Sequence, residues 1–159
     1  MWNIAICDDQ PESIAYIKDR LADTDLPDIG KIIAFSNGKS MLEDLEDGIF
    51  DADIFILDID LGSCSGIAIA EKILDIRPDC QIIFMSGYDD YYEAVYDVNH
   101  IYFMKKPVCS EILCKAVSKA TQKLNSGHEE FFIAETKSGK HIILYKDIFS
   151  FERDRRKIN

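Results

Sequence analysis

Four apolar runs in this chain each hand over to polar side chains at their C-terminal ends, and that repeated handover constrains the fold more than any other feature. Ile4–Cys7 leads into Asp8-Asp9, Ile54–Leu57 into Asp58, Gln81–Met85 into Ser86-Gly87, and Ile101–Met104 into Lys105-Lys106-Pro107. In an open parallel α/β sheet all strands run the same way, so groups just past their carboxyl ends converge on one crevice. Three carboxylates, a hydroxyl and an ammonium would meet there. Crowded carboxylates call for a cation, and an all-oxygen ligand set suits Mg²⁺. The ammonium and hydroxyl would then have a phosphoryl group to hold.

The periodicity supports that sheet. Strands are predicted over 3–7, 31–35, 53–57, 81–85 and 101–104, and the segments between them carry helical spacing. Pro11 suits the first turn of a helix that puts Ile14, Ile17 and Leu21 on one face. A second helix after the Asn37-Gly38 turn carries Met41, Leu42 and Leu45, and a third starts near Gly66 with Ile67, Ala70 and Leu74 inward and stops at Arg77-Pro78. A fourth is read over Asp89–Asp97, where Tyr91, Tyr92 and Tyr96 leave the buried face ambiguous. The fifth starts at Ser110, its cap, with an apolar stripe of Leu113, Ala116, Val117, Ala120 and Leu124. The expected fold is α/β, a doubly wound five-stranded parallel sheet.

Composition narrows the setting. The chain has 159 residues, 47% hydrophobic, enough for one sizeable core and a smaller piece. Five cysteines, at 7, 64, 80, 109 and 114, show no metal-like spacing and read as reduced thiols, with Cys7 and Cys80 as small buried hydrophobes. Neither a signal peptide nor an apolar stretch of spanning length is found, so a cytoplasmic location with no membrane partner is expected. His100, His128 and His141 form no ligand or catalytic set. No glycine-rich phosphate loop is present, so no nucleotide cofactor is expected. Residues 1–124 carry 11 Lys/Arg against 23 Asp/Glu, whereas 125–159 carry 7 against 6. The acidic part would repel DNA.

The order Asp8-Asp9, Asp58, Ser86, Lys106-Pro107 resembles the receiver domain of a two-component response regulator, over roughly residues 1 to 124. The resemblance implies a flavodoxin-like fold and a phosphoryl group accepted on Asp58 from the phosphohistidine of a sensor histidine kinase. It implies Mg²⁺ held by Asp8, Asp9, Asp58 and the backbone carbonyl of Asp60, with Lys106 as phosphate partner; Lys105 would face the other side of its strand. Ser86 and Phe103 would form the switch, the hydroxyl drawn to the phosphoryl group and the aromatic rotating into the vacated space. Gly87 would leave the phosphate room, and Pro107 would fix the turn that presents Lys106. The face altered, made by the fourth and fifth helices and the fifth strand, would mediate homodimerisation. No enzymatic activity is expected beyond self-catalysed phosphoryl transfer and slow autodephosphorylation. The sequence departs from the family's pattern at Gly62, where a proline is usual, which predicts a more flexible loop.

After Leu124 the period changes. Asn125-Ser126-Gly127 signals a linker, placed at 125–128. Strands follow over Phe131–Thr136, His141–Tyr145 and Ile148–Glu152, with a turn at Lys137-Ser138-Gly139-Lys140. The run Ile142–Glu152 resembles the opening of a LytTR-type DNA-binding domain. Residues 129–159 are therefore expected to be a short β-rich remnant, the truncated N-terminal part of such a domain. DNA would be contacted by the full-length C-terminal domain and not by this chain, despite the basic run Arg153–Lys157.

Two other classes fit part of the pattern. An apolar strand followed by Asp58-Ile59-Asp60 also matches the Asp-x-Asp of haloacid-dehalogenase-type phosphatases, with Ser86 and Lys106 imitating the later serine and lysine. That reading lacks acidic ligands straight after Lys106, where Pro107-Val108-Cys109-Ser110 stands, and gives Asp8-Asp9 no role. A receiver-like interaction module that is never phosphorylated is the third reading, set against an intact set of site residues.

Overall fold

The computed structural model describes residues 1–23, 26, 28–62, 64–88, 95–127, 131–136 and 139–144. Five strands, β1 (Trp2–Cys7), β2 (Ile29–Phe35), β3 (Ile54–Asp58), β4 (Gln81–Ser86) and β5 (Tyr102–Lys105), form one sheet in the order β2-β1-β3-β4-β5. Every neighbouring pair is parallel. The helices α1 (Pro11–Asp23), α2 (Gly38–Glu46), α3 (Gly66–Ile76) and α4 (Ser110–Gly127) connect or follow these strands. The chain order reverses beside β1, and β3 lies at the centre of the sheet, so the ends of β1 and β3 stand at the topological switch point.

Alternation along each strand divides the core into two layers. Ala5, Cys7, Phe55, Leu57, Ile82 and Phe84 pack with Met41, Leu42, Leu45, Ile69, Ala70 and Ile73 of α2 and α3. Ile4, Ile6, Ile54, Ile56, Ile83, Met85 and Met104 pack on the opposite face with Ile17 and Leu21 of α1 and with the α4 stripe Leu113, Ala116, Val117, Ala120 and Leu124. A strand covered on both faces reads as a continuous apolar run. That is why the runs ending at residues 7, 57 and 85 carry no polar alternation.

Local chemistry sets the helix boundaries. Asn37 caps α2 by accepting from the Lys39 and Ser40 amides, and Ser65 caps α3 through the Ile67 amide. The buried face of α3 is centred on Ile69, Ala70 and Ile73, with Ile67 and Leu74 only partly buried against the same layer. Asn125–Gly127, expected to be a linker, form the last turn of α4. The cohesion supplied by the preceding stripe carries the helix through weak local formers. Most of the expected helix over Asp89–Asp97 lies outside the described residues.

The chain divides into two compact units, Met1–Leu124 and Asn125–Asn159. In the second, β6 (Phe131–Thr136) and β7 (Gly139–Leu144) pair antiparallel, with Thr136 opposite Gly139, so Gly139 and Lys140 are strand residues where a turn was expected. The strand read over Ile148–Glu152 and the basic run after it lie outside the described residues. Among the described residues, no helix is long and apolar enough to cross a membrane.

Candidate functional site

Asp8 follows the last residue of β1, and Asp58 is the last residue of β3, the strand paired with it. Both are buried, Asp8 completely and Asp58 with 4% of its surface exposed, whereas Asp9 is exposed. One carboxylate oxygen from each of the three lies within 4.8 Å of the others. Lys106, one residue beyond β5, reaches back so that its Nζ donates to Asp58 Oδ2 at 2.8 Å and to Asp8 Oδ2 at 2.7 Å. Its own amide donates to the Ser86 carbonyl at 2.8 Å, which anchors the lysine backbone to the end of β4. The Lys106–Pro107 peptide is cis. Lys105, one residue earlier, is exposed.

Two carboxylates around one ammonium leave an excess of buried negative charge. Burial pushes the Asp58 carboxyl above its ordinary value, against the opposing pull of the Lys106 hydrogen bond and charge. Burial draws the Lys106 ammonium the other way, but the bonds and charges of Asp58 and Asp8 outweigh it and hold the group above the usual lysine value. Lys106 is therefore charged at neutral pH. Burial likewise pushes the Cys7 thiol, next to Asp8, up to about 12, so it remains a protonated core side chain.

Ser86 is buried at the end of β4, and its Oγ accepts from the Tyr88 amide at 3.0 Å. Gly87 next to it has open space where a Cβ would stand. Phe103 pairs in register with Phe84, is partly buried against the α2–α3 layer, and lines a cavity of about 390 Å³ with Val95, Tyr96, His100, Ile101, Tyr102 and Lys119. Asp60 is exposed, bridged to Ser65, with its carboxylate turned to the Gly62 amide at 3.4 Å. Gly62 itself has φ +69°, a left-handed conformation closed to the proline usual at this position.

Two further residues shape the site and escaped the sequence reading. A Cβ on Gly66 would stand 1.9 Å from the Asp58 carbonyl oxygen, so only glycine lets the start of α3 close onto the end of β3. Ser13, in the first turn of α1, donates through Oγ to Asp8 Oδ2 at 2.5 Å, while the Gln10 amide donates to Asp8 Oδ1 at 2.9 Å. The Gly66 signal was present as a glycine opening a helix eight residues after Asp58; Ser13 left none beyond its place near the helix start.

A doubly wound parallel sheet with carboxylates and a lysine past its strand ends is the architecture of receiver domains, and similarity to known proteins agrees. The family model described as the response regulator receiver domain matches residues 4–118. The positive alginate biosynthesis regulatory protein of Pseudomonas aeruginosa is 24% identical over 96% of this chain and 66% of its own length. The sensory transduction protein LytT of Enterococcus faecalis is 24% identical over 80% of this chain and 51% of its own. The chain thus spans about half to two thirds of the length of these curated relatives. Among solved structures, a CheY-like receiver domain protein from Methanospirillum hungatei aligns with TM-score 0.70 at 18% identity, covering 80% of this chain and 98% of that one. The BeF3-activated DrrB receiver domain aligns with TM-score 0.65 at 23% identity, covering 77% and 98%. The chain belongs to the response regulator receiver domain family, whose signalling is by phosphorylation in two-component systems.

Proposed function

We propose that Asp58 is the phosphoacceptor and that Asp8, Asp9, Asp58 and the backbone carbonyl of Asp60 hold Mg²⁺ beside it. The observation that carries this reading is Lys106 Nζ, bonded at once to Asp58 at 2.8 Å and to Asp8 at 2.7 Å, within a cluster of three carboxylates. Three hard oxygen donors within 4.8 Å of one another suit a small divalent cation, and an excess of buried negative charge gives it a reason to bind. Bound there, Mg²⁺ would neutralise charge on the transferring phosphoryl group.

The phosphoryl group comes from the phosphohistidine of a sensor kinase. The histidine N–P bond breaks, a bond from an Asp58 carboxylate oxygen to phosphorus forms, and the imidazole takes a proton from solvent. Lys106 carries a positive charge that can move from the carboxylates to the phosphoryl oxygens, and Ser86 has one O–H to donate. Gly87 leaves space for the group, and Pro107 follows the lysine in the turn that presents it. Loss of the Ser86 hydroxyl from its resting place lets Phe103 turn inward, which changes the face bearing Tyr96, Tyr102 and Lys119 and favours homodimerisation. Residues 1–124 act as the receiver, 125–128 as the connection, and 129–159 as the N-terminal part of a LytTR-type DNA-binding output in a cytoplasmic transcription regulator.

The test is incubation with acetyl phosphate and Mg²⁺, followed by intact-mass spectrometry and a phosphate-release assay. One phosphoryl group per chain is expected, absent in Asp58→Asn and after chelation of the metal, and reduced in Lys106→Ala. Sustained ester turnover that disappears in Asp60→Asn would identify a phosphatase instead, and absence of any adduct would leave an interaction module.

A further inference from the structure

We propose that Ser13 is a positioning residue of this site: resting on the reading of Asp8 as a metal ligand, its hydroxyl holds that carboxylate set for Mg²⁺, beside Lys106 and also after Lys106 turns to a phosphoryl group. Asp8 is completely buried and held by three donors. The Gln10 amide takes Oδ1 at 2.9 Å, and Ser13 Oγ at 2.5 Å and Lys106 Nζ at 2.7 Å share Oδ2. An O–H bonded to a carboxylate at this distance belongs to the short, charge-assisted kind, about twice as strong as a neutral pair.

The two donors on Oδ2 act differently. The ammonium both orients Asp8 and cancels its charge, whereas the hydroxyl orients it and leaves the negative charge available to a cation. Lys106 is also shared with Asp58 at 2.8 Å, so an incoming anion must draw it from these two partners. Once it moves, the hydroxyl stays on Oδ2 and spares Asp8 the choice between a new rotamer and an unmet acceptor. Ser13 can stay because its backbone is fixed. Pro11 opens α1, and the Ser13 and Ile14 amides both donate to the Gln10 carbonyl, at 3.1 and 3.2 Å, closing the first turn over the Asp8–Gln10 stretch. Removing a partner that orients a metal ligand in this way typically costs about 10–100-fold in metal affinity.

Ser13 also lines a cleft of about 580 Å³ between α1 and the Lys106–Pro107–Val108 turn, so a β-branched side chain has room at this position. That permits an isosteric comparison. The full chain is titrated with Mg²⁺ by calorimetry in four forms: native, Ser13→Ala, Ser13→Thr and Ser13→Val, with the melting midpoint without metal recorded for each. The affinity for Mg²⁺ is expected to fall about tenfold in the Ala and Val forms and to stay within about twofold of native in the Thr form. Equal affinity in the native, Ala and Val forms would overturn the role of Ser13 while leaving the metal site intact. Loss of affinity in the Thr form equal to that in Val would assign the effect to shape and overturn the role of the hydroxyl. A native chain that takes up no Mg²⁺ would instead remove the metal reading itself.

Discussion

Asp58 is held in an environment that resists its charge, and that has a measurable sign. With its carboxyl raised above the ordinary value near 3.8, the native state binds a proton more tightly than the unfolded chain. Stability contributed by this group therefore falls as pH rises from that ordinary value through the raised one, and the loss is complete above it. Asn at 58 carries no charge and still offers an oxygen to Lys106, which keeps Asp8 at 2.7 Å. Metal-free Asp58→Asn is expected to be more stable than native at neutral pH, with the difference closing as pH is lowered toward 3.8. Urea unfolding of both forms across that range, in the presence of a chelator, measures it. The residues with ionic chemistry were legible from sequence because each follows an apolar run. Gly66 and Ser13 were not, since a forbidden Cβ and a hydroxyl's partner exist only once two elements have been brought together.

At the scale of elements, β5 joins the site to the surface: it delivers Lys106 at its end and presents Phe103 from its middle, against Phe84 of β4. Phe103→Ala is expected to leave acceptance of the phosphoryl group within about twofold of native while costing about 1–2 kcal/mol of stability, less than full burial would give because the ring is only partly covered. Dimer formation after phosphorylation should weaken at the same time. Intact mass and sedimentation velocity on the same samples check both halves. Strand positions were readable from sequence to within a residue or two, because two covered faces force an apolar run. The face of α3 was less so, as Ile67, Ile69, Ile73, Leu74 and Ile76 surround that helix and only packing selects among them. The end of α4 was misplaced because Asn125-Ser126-Gly127 favours a turn locally while the helix before it favours continuation.

For the whole molecule, the proposed metal site makes folding and cation uptake one linked equilibrium. At a hundred times its dissociation constant, Mg²⁺ should add about 2.7 kcal/mol to the native state, which for a chain of this size raises the melting midpoint by about 5–10 °C. Calorimetric scans with and without a chelator read that shift, and no shift in the native chain would argue against the carboxylate cluster as a metal site. The general architecture was legible from the alternation of apolar runs and helical spacing. The ion pair that closes the site joins Lys106 to Asp8 across 98 positions of sequence, through the second strand and the last strand of the sheet order β2-β1-β3-β4-β5. During synthesis, the carboxylates leave the ribosome long before their lysine. A nascent chain, or one clipped ahead of β5, therefore displays the carboxylates without the lysine that closes their cluster, and if Asp58 is the acceptor proposed above, competence to take up a phosphoryl group arrives only with the finished sheet.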